Sequence, residues 1–165
     1  MKALYLVRHA KSSWDHPGVI DLERPLMEQG IRKSKRVIQY LKGKELMPGL
    51  ILTSPAKRAV ETAKLFALGL GYPAEKIQEA RPLYDGSVDE FLNFIYSLPD
   101  HLTSLMVFGH NPTITQIAEL LLSPDFEEDM SPAAVIGILF DTHTWHGIRE
   151  AESRLLFYIT PKSLK

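Results

Sequence analysis

Cysteine is absent from the chain, so disulfides, thiolate metal sites and cysteine nucleophiles are all excluded, and nothing in the composition asks for an oxidising compartment. An excess of charge of either sign is missing too. The 19 basic and 20 acidic residues leave a net charge of −1, which gives no general attraction to nucleic acid or to an anionic membrane. Any affinity for phosphate must therefore be local. No apolar run reaches the roughly 18 residues of a membrane span, and the opening run is too short for the core of a signal sequence and meets charge at once. Internal repeats and low-complexity tracts are lacking as well. The expectation is a cytoplasmic protein with no nucleic-acid or membrane partner. What is present, 45% apolar residues in a chain of 165, suits one domain over 1–165 with a core that needs no staples.

The apolar run Ala3 to Val7 is continuous rather than alternating, as in a central strand covered on both faces, and it ends abruptly in Arg8 and His9. Residues 10–26 are rich in turn formers (Ser12, Ser13, Asp15, Pro17, Gly18, Pro25) and read as a long surface loop over that strand end; loops of this length are often functional. An amphipathic helix is expected over Glu28 to Lys42, closing at Gly43, with Ile31, Val37, Ile38 and Leu41 inward. Its Arg32, Lys33, Lys35 and Arg36 read as a solvated face in preference to a phosphate- or protein-binding one. Leu50 to Leu52 reads as a second buried strand. A helix from about Ala56 to Leu68 follows, with Ser54 near its N-cap and Pro55 in its first turn, which puts Arg58 near the helix start.

Further on, Ile77 to Ala80 is expected as a short strand, Arg81 to Gly86 as a loop, and Val88 to Leu98 as a helix with Phe91, Leu92, Ile95 and Tyr96 inward. Leu105 to Phe108 repeats the opening pattern, a short apolar strand followed by Gly109-His110-Asn111-Pro112 and then by a helix from about Thr113 to Leu122. Pro124 to Met130 reads as an acidic loop, and Ala134 to Phe140 and Leu155 to Ile159 as late strands joined through Thr142 to Glu152. Strands alternating with helices at these spacings predict an α/β fold with a largely parallel sheet. Ligands in such folds bind beyond the carboxyl ends of the strands, where Arg8, His9 and His110 are expected.

Phosphoryl transfer asks a protein for positive charge around three oxygens and for an in-line nucleophile. Arginine holds phosphate through two parallel hydrogen bonds and stays charged, so Arg8 and Arg58 are suited to clamp one phosphate from two sides. A neutral imidazole is a covalent nucleophile, and flanking cations disfavour its protonation, so His9 is the expected nucleophile and His110 a donor to a phosphate oxygen. His16, His101, His143 and His146 read as loop or surface residues. No His-Glu-x-x-His or comparable ligand spacing is present, and neither a metal nor another cofactor is expected.

These residues lie in three stretches, Tyr5-Leu6-Val7-Arg8-His9-Ala10-Lys11-Ser12, Thr53-Ser54-Pro55-Ala56-Lys57-Arg58-Ala59-Val60-Glu61-Thr62-Ala63 and Gly109-His110-Asn111-Pro112. In order and spacing they resemble the three signatures of the histidine phosphatase superfamily, from about residue 2 to about residue 140. The short chain is most similar to the SixA-type phosphohistidine phosphatases within it. The resemblance implies a phosphoglycerate mutase-like three-layer α/β/α sandwich, a covalent phosphohistidine intermediate on His9, and Arg8, Arg58 and His110 completing the phosphate pocket. Ala10 stands where the superfamily usually has Gly, as is frequent in the SixA-like branch, and Lys11 where many mutases and phosphatases have Glu. Asp15 stands where many relatives have a phosphate-contacting Asn; an anion there repels phosphate, so Asp15 is left out of the expected site. Relatives acting on esters use a Glu or Asp as proton donor, and Asp85 is the one candidate for that role named from this sequence.

The resulting expectation is a metal-independent phosphatase that removes phosphate from phosphohistidine on a protein. An imidazole whose conjugate acid has a pKa of about 6.5 leaves more readily than an alkoxide, which needs a proton. Two alternatives remain open: an enzyme of the same superfamily acting on a small phosphate ester, and a non-catalytic phosphate-binding module.

Overall fold

The computed structural model describes residues 1–14 and 17–164; Asp15 and His16 lie outside the described residues. Strand β1 (Lys2–Arg8) is followed by helix α1 (Glu28–Gly43), β2 (Leu50–Thr53), α2 (Lys57–Leu70), β3 (Gln78–Glu79), the single-turn helix α3 (Pro82–Asp85), α4 (Val88–Tyr96), β4 (Ser104–Gly109), α5 (Thr113–Leu122), β5 (Val135–Phe140) and β6 (Ser153–Ile159). The six strands form one sheet in the order β3-β2-β4-β1-β5-β6. The pairs β3–β2, β2–β4 and β4–β1 are parallel, while β5 runs antiparallel to both of its neighbours. No described helix is long and apolar enough to cross a membrane.

The period-2 alternation of the strands sorts their side chains onto two faces, each covered by helices. Leu4, Leu6, Leu52, Leu105, Val107 and Ile136 pack with Phe91 and Ile95 of α4 and Ile114 and Ile117 of α5. Val7, Ile51, Met106, Phe108 and Val135 pack on the opposite side with Val37 and Leu41 of α1 and Ala63 and Phe66 of α2. Two buried apolar layers on one sheet make a three-layer α/β/α sandwich with a mostly parallel sheet; the spacing of strands and helices predicted the α/β fold and its largely parallel sheet, and the resemblance implied the phosphoglycerate mutase-like sandwich.

Several local expectations change. Helix α2 starts at Lys57 with Ala56 as its N-cap residue, so Pro55 precedes the helix instead of lying in its first turn; Ser54, near that cap as expected, accepts the Ala56 N–H and also meets His110. The Arg81–Gly86 loop contains the turn of α3, with Pro82 at its start, where a fixed φ favours helix. Strand β3 is shorter than Ile77–Ala80, and α4 stops at Tyr96, which is half-buried. Within the long loop, Asp21–Glu23 forms a 3₁₀ turn. The base of that loop is closed by hydrogen bonds from Ser13 N–H to the Pro25 carbonyl and from Met27 N–H to the Lys11 carbonyl, both 2.9 Å.

Candidate active site

Parallel pairing brings three chain-distant segments to one sheet edge. Arg8 pairs in register with Gly109, and Thr53 with Phe108, so the residues just beyond β1, β4 and β2 are neighbours. The His9 N–H donates to the Gly109 carbonyl (3.1 Å) and the Ser54 N–H to the Phe108 carbonyl (3.0 Å). Helix α2 is fastened to the loop after β1 through Thr62. The Ala10 N–H donates to the Thr62 hydroxyl (3.1 Å), which donates to the Arg58 carbonyl (2.7 Å). The backbone thus fixes His9, His110, Ser54 and Arg58 around one point. A cavity of about 690 Å³ opens there, walled by Arg8, His9, Arg58 and His110 together with Arg24 and Lys33, a size within the roughly 300–1,000 Å³ of small-molecule sites.

The two imidazoles stand with ring centroids 4.9 Å apart at 55°. His9 Nδ1 lies 2.7 Å from the Ala10 carbonyl. A carbonyl only accepts, so Nδ1 carries the proton and Nε2 keeps its lone pair. Burial pushes His9 down to about 4 against the Ala10 hydrogen bond, with Arg58, Arg8 and Arg24 adding to the depression. Its imidazole is neutral at physiological pH. His110 is pushed down to about 3, first by burial and then by His9 and Arg58. Its Nε2 lies 2.7 Å from the Ser54 Oγ. That oxygen accepts from Ala56, and among the described residues His110 Nε2 is the one acceptor within reach of its own proton, so the hydroxyl donates to Nε2 and the His110 proton sits on Nδ1.

The orphaned donors are informative. Among the described residues, the buried side-chain polar atoms without a partner are Arg8 Nε, Arg58 Nε and His110 Nδ1. Native proteins rarely leave such atoms unmatched, and a cluster of them calls for an explanation. All three belong to residues walling the cavity, and all three are donors, the complement of an anion's oxygens. The far ends of the guanidinium groups are anchored by protein: Arg8 Nη1 donates to the Met130 carbonyl (2.7 Å) and Arg58 Nη1 to the Asp21 carbonyl (2.7 Å).

Asp21 is the residue that sequence reasoning missed. One carboxylate oxygen accepts from Arg58 Nη2 (3.0 Å) and the Tyr84 hydroxyl (2.7 Å), and the other accepts from Arg24 Nε (3.1 Å). Desolvation works to raise its pKa, but the hydrogen bonds from Tyr84, Arg58 and Arg24 outweigh it and hold the carboxyl at about 2. Asp21 is therefore an anion that orients cations. Arg24, buried, also donates to the Ser12 hydroxyl (2.7 Å) and lies 3.5 Å over the ring of Trp14. The available signal was the long loop itself, flagged as functional, with an Asp and an Arg three residues apart ahead of a Pro.

Of the residues singled out from sequence, Arg8, His9, Arg58 and His110 converge. Asp85 does not join them: it is exposed, outside the cavity wall, and ion-paired with Arg81 at 3.0 Å. The α3 turn presents Tyr84 toward the site instead, its ring centroid 5.6 Å from that of His110. No three described His, Asp or Glu side chains are grouped as a metal ion would need.

Residues 4–87 match the histidine phosphatase superfamily (branch 1). An uncharacterised chloroplastic protein of Arabidopsis thaliana is 32% identical over 144 residues, which cover 82% of this chain and 66% of that longer protein. The chain superposes on the protein histidine phosphatase SixA complexed with tungstate with a TM-score of 0.84 at 21% identity, over 99% of each chain, a likeness of fold. Against the protein from Agrobacterium tumefaciens assigned as the phosphohistidine phosphatase SixA, the TM-score is 0.82 at 25% identity, over 97% of this chain and 98% of that one.

Proposed function

The chain belongs to the histidine phosphatase superfamily, and from that premise we propose that it removes the phosphoryl group from phosphohistidine on a protein, with His9 as nucleophile and Arg8, Arg58 and His110 as the phosphate pocket. The observation that carries this reading is the set of orphaned donors, Arg8 Nε, Arg58 Nε and His110 Nδ1, around a neutral His9 whose Nε2 lone pair is free. In the first step Nε2 of His9 attacks phosphorus, a P–Nε2 bond forms and the bond from phosphorus to the substrate imidazole breaks. Substrate protonated on its other ring nitrogen releases neutral imidazole and needs no proton from the enzyme. In the second step water attacks the phosphoryl-His9, the P–Nε2 bond breaks, inorganic phosphate leaves and the water proton passes to phosphate or solvent. Neither Arg group changes charge; both stabilise the equatorial oxygens throughout.

The preference for phosphohistidine over an ester rests on the missing acid. An alkoxide needs protonation as it leaves, yet no described Asp or Glu walls the cavity, and Asp21, which bonds the cavity-wall residues Arg58 and Arg24, is held as an anion. Exposed apolar side chains on the adjoining loop, Trp14, Val19 and Ile20, suit contact with a protein surface. A cytoplasmic setting, read from the cysteine-free composition, belongs to the same proposal.

The test compares turnover of a phosphohistidine-bearing protein with that of sugar and nucleotide phosphates, alongside trapping of the phosphoryl-enzyme. Turnover of phosphohistidine above every ester, and loss of both turnover and trapping in His9→Ala, are expected. An ester preferred by tenfold or more would move the assignment to a small-molecule phosphatase. Phosphate binding without turnover would make the chain a binding module.

A further inference from the structure

A second cavity, about 220 Å³, abuts the catalytic one, and Lys11, Lys33 and Pro132 wall both. Lys162, from the far end of the chain, closes its other side. Three lysines from three distant segments therefore line one space contiguous with the phosphate pocket, Lys33 half-buried and Lys11 and Lys162 exposed. Among the described residues none of the three is in an ion pair, and no carboxylate walls either cavity. On a chain with net charge −1, these lysines make a local excess of one sign.

The backbone that carries these lysines is fixed. Gly30 of α1 lies on the wall of the second cavity, and a Cβ there would stand 2.5 Å from the Lys11 carbonyl. Only a residue without a side chain lets α1 approach the loop after β1 so closely. That approach brings Lys33, one helical turn on, beside Lys11. Lys33 is half-buried, whereas Arg32, Lys35 and Arg36 are exposed and Arg32 is paired with Glu28 at 3.4 Å. The basic face of α1 thus divides into a solvated part and one residue turned to the cavities. At the far end, Thr160 and Ser163 cap each other reciprocally at 3.1 Å around the buried Pro161, fixing the turn that carries Lys162.

A carboxylate stands behind the Asn111 wall of the catalytic cavity. Asn111 Nδ2 donates to Asp129 (3.0 Å), and the negative charge of Asp129 acts on Arg8. A substrate with a second negative group is steered away from that side and toward the lysines.

We propose that the lysine cavity is a second anion subsite, so that the preferred substrate carries a carboxylate or a further phosphate beside the phosphoryl group that is transferred. This rests on the proposed phosphatase reading and extends it to the substrate class. The second anion has two sources with one chemistry: an acidic side chain flanking the phosphohistidine of a protein, or a second phosphate on a small ester.

Two matched pairs of probes decide: phosphohistidine peptides with acidic or with neutral flanks, and a sugar bisphosphate against its monophosphate. kcat/KM is measured at low and high KCl for the wild type, Lys162→Glu and Lys162→Arg. The expected result is a preference of about tenfold for the second anion, falling severalfold in K162E, retained in K162R, and shrinking with salt. A preference confined to the peptides assigns the subsite to protein substrates, and one confined to the sugars assigns it to small esters. Ratios near one in both pairs, or a ratio indifferent to K162E, overturn the subsite. Calorimetric binding of the two peptides to the His9→Ala protein gives the same ratio without turnover. Preferred binding of the acidic peptide with no hydrolysis of any probe by the wild type would overturn the phosphatase reading and leave the subsite standing.

Discussion

Asp21 grips Arg58 twice, through a carboxylate oxygen 3.0 Å from Nη2 and a backbone carbonyl 2.7 Å from Nη1. The two contacts take the outer edge of the guanidinium and leave Nε, buried and unpartnered, for the cavity. The same carboxylate ties in Tyr84 and Arg24, so its loss takes one partner from three side chains at once. Asp21→Ala is expected to lower kcat tenfold to a hundredfold with a smaller change in KM, since misplacing a clamp by about 1 Å costs this much. Asp21→Asn keeps an acceptor for Arg58 and is expected to recover most of the loss. Steady-state kinetics on a phosphohistidine peptide measures both, and a wild-type kcat in D21A would remove Asp21 from the positioning role.

The pH dependence follows from the depressed imidazoles. In the proposed mechanism His9 attacks only when neutral, and its pKa of about 4, below the ordinary 6.5 or so, extends the neutral form to lower pH. Substrate phosphate ionises near pH 6 in its own right, so the cleaner measurement is an NMR titration of the free protein. The ring resonances of His9 and His110 are expected to hold their neutral positions down to about pH 5; a midpoint near 6.5 for His9 contradicts the assignment. Stability moves with the same sign. Between about 4 and 6.5 the unfolded chain takes up the His9 proton and the folded one does not, so this contribution to stability is complete above about pH 6.5 and declines as pH falls toward 4.

Asp85 pairs with Arg81 on the exposed side of α3, and an exposed ion pair contributes roughly 0–1 kcal/mol. Asp85→Asn is expected to leave kcat/KM for phosphohistidine within about twofold and the melting midpoint nearly unchanged. A loss of a hundredfold, with a changed pH profile, would restore Asp85 as the proton donor.

Arg8, His9 and His110 were legible because each stands at or just beyond the end of a short apolar strand, and a parallel sheet delivers such ends to one edge. Arg58 was legible because it starts a helix that follows such a strand. Ser54 was legible near the helix start, where it accepts the Ala56 N–H, but not in its second role, because its contact with His110 is tertiary. Asp21 and Arg24 were hidden because a loop's path is set by contacts with other segments, here Arg58 and Tyr84, which are 37 and 63 residues from Asp21. Antiparallel β5 could be anticipated only in part, since its apolar run has no direction of its own.

Gly30 links the fold to the site. In a helix interior Ala is favoured over Gly by about 1 kcal/mol, so Gly30→Ala would stabilise an isolated α1. In the folded chain the new methyl would meet the Lys11 carbonyl at 2.5 Å, and backbone atoms cannot yield as a flexible side chain can. Overpacking of this kind costs roughly 1–3 kcal/mol. The expected result is net destabilisation by denaturant unfolding, with a weaker second-anion preference as α1 moves away from Lys11. A stabilised variant would show that α1 can shift without cost.

The chain has two tryptophans, and their positions make one of them a reporter. Trp145 is fully buried, its indole N–H donating to the Leu102 carbonyl at 2.9 Å, near the start of β4 and so at the opposite end of the sheet from His110. Trp14 is 77% exposed, lies on the catalytic cavity and has the Arg24 guanidinium 3.5 Å over its ring. An anion arriving among Arg8, Arg58 and His110 changes the field felt by Arg24 and by the indole it covers. Titration with inorganic phosphate is expected to shift or quench the emission, Trp14→Phe to abolish that response, and Arg58→Ala to weaken binding on the order of 10²-fold, by analogy with loss of one charge-stabilising donor. Calorimetry on the Trp14→Phe protein separates a lost reporter from a lost site: phosphate still binds if Trp14 only watches the pocket, and binding that vanishes with the indole would make the Trp14–Arg24 stack part of it.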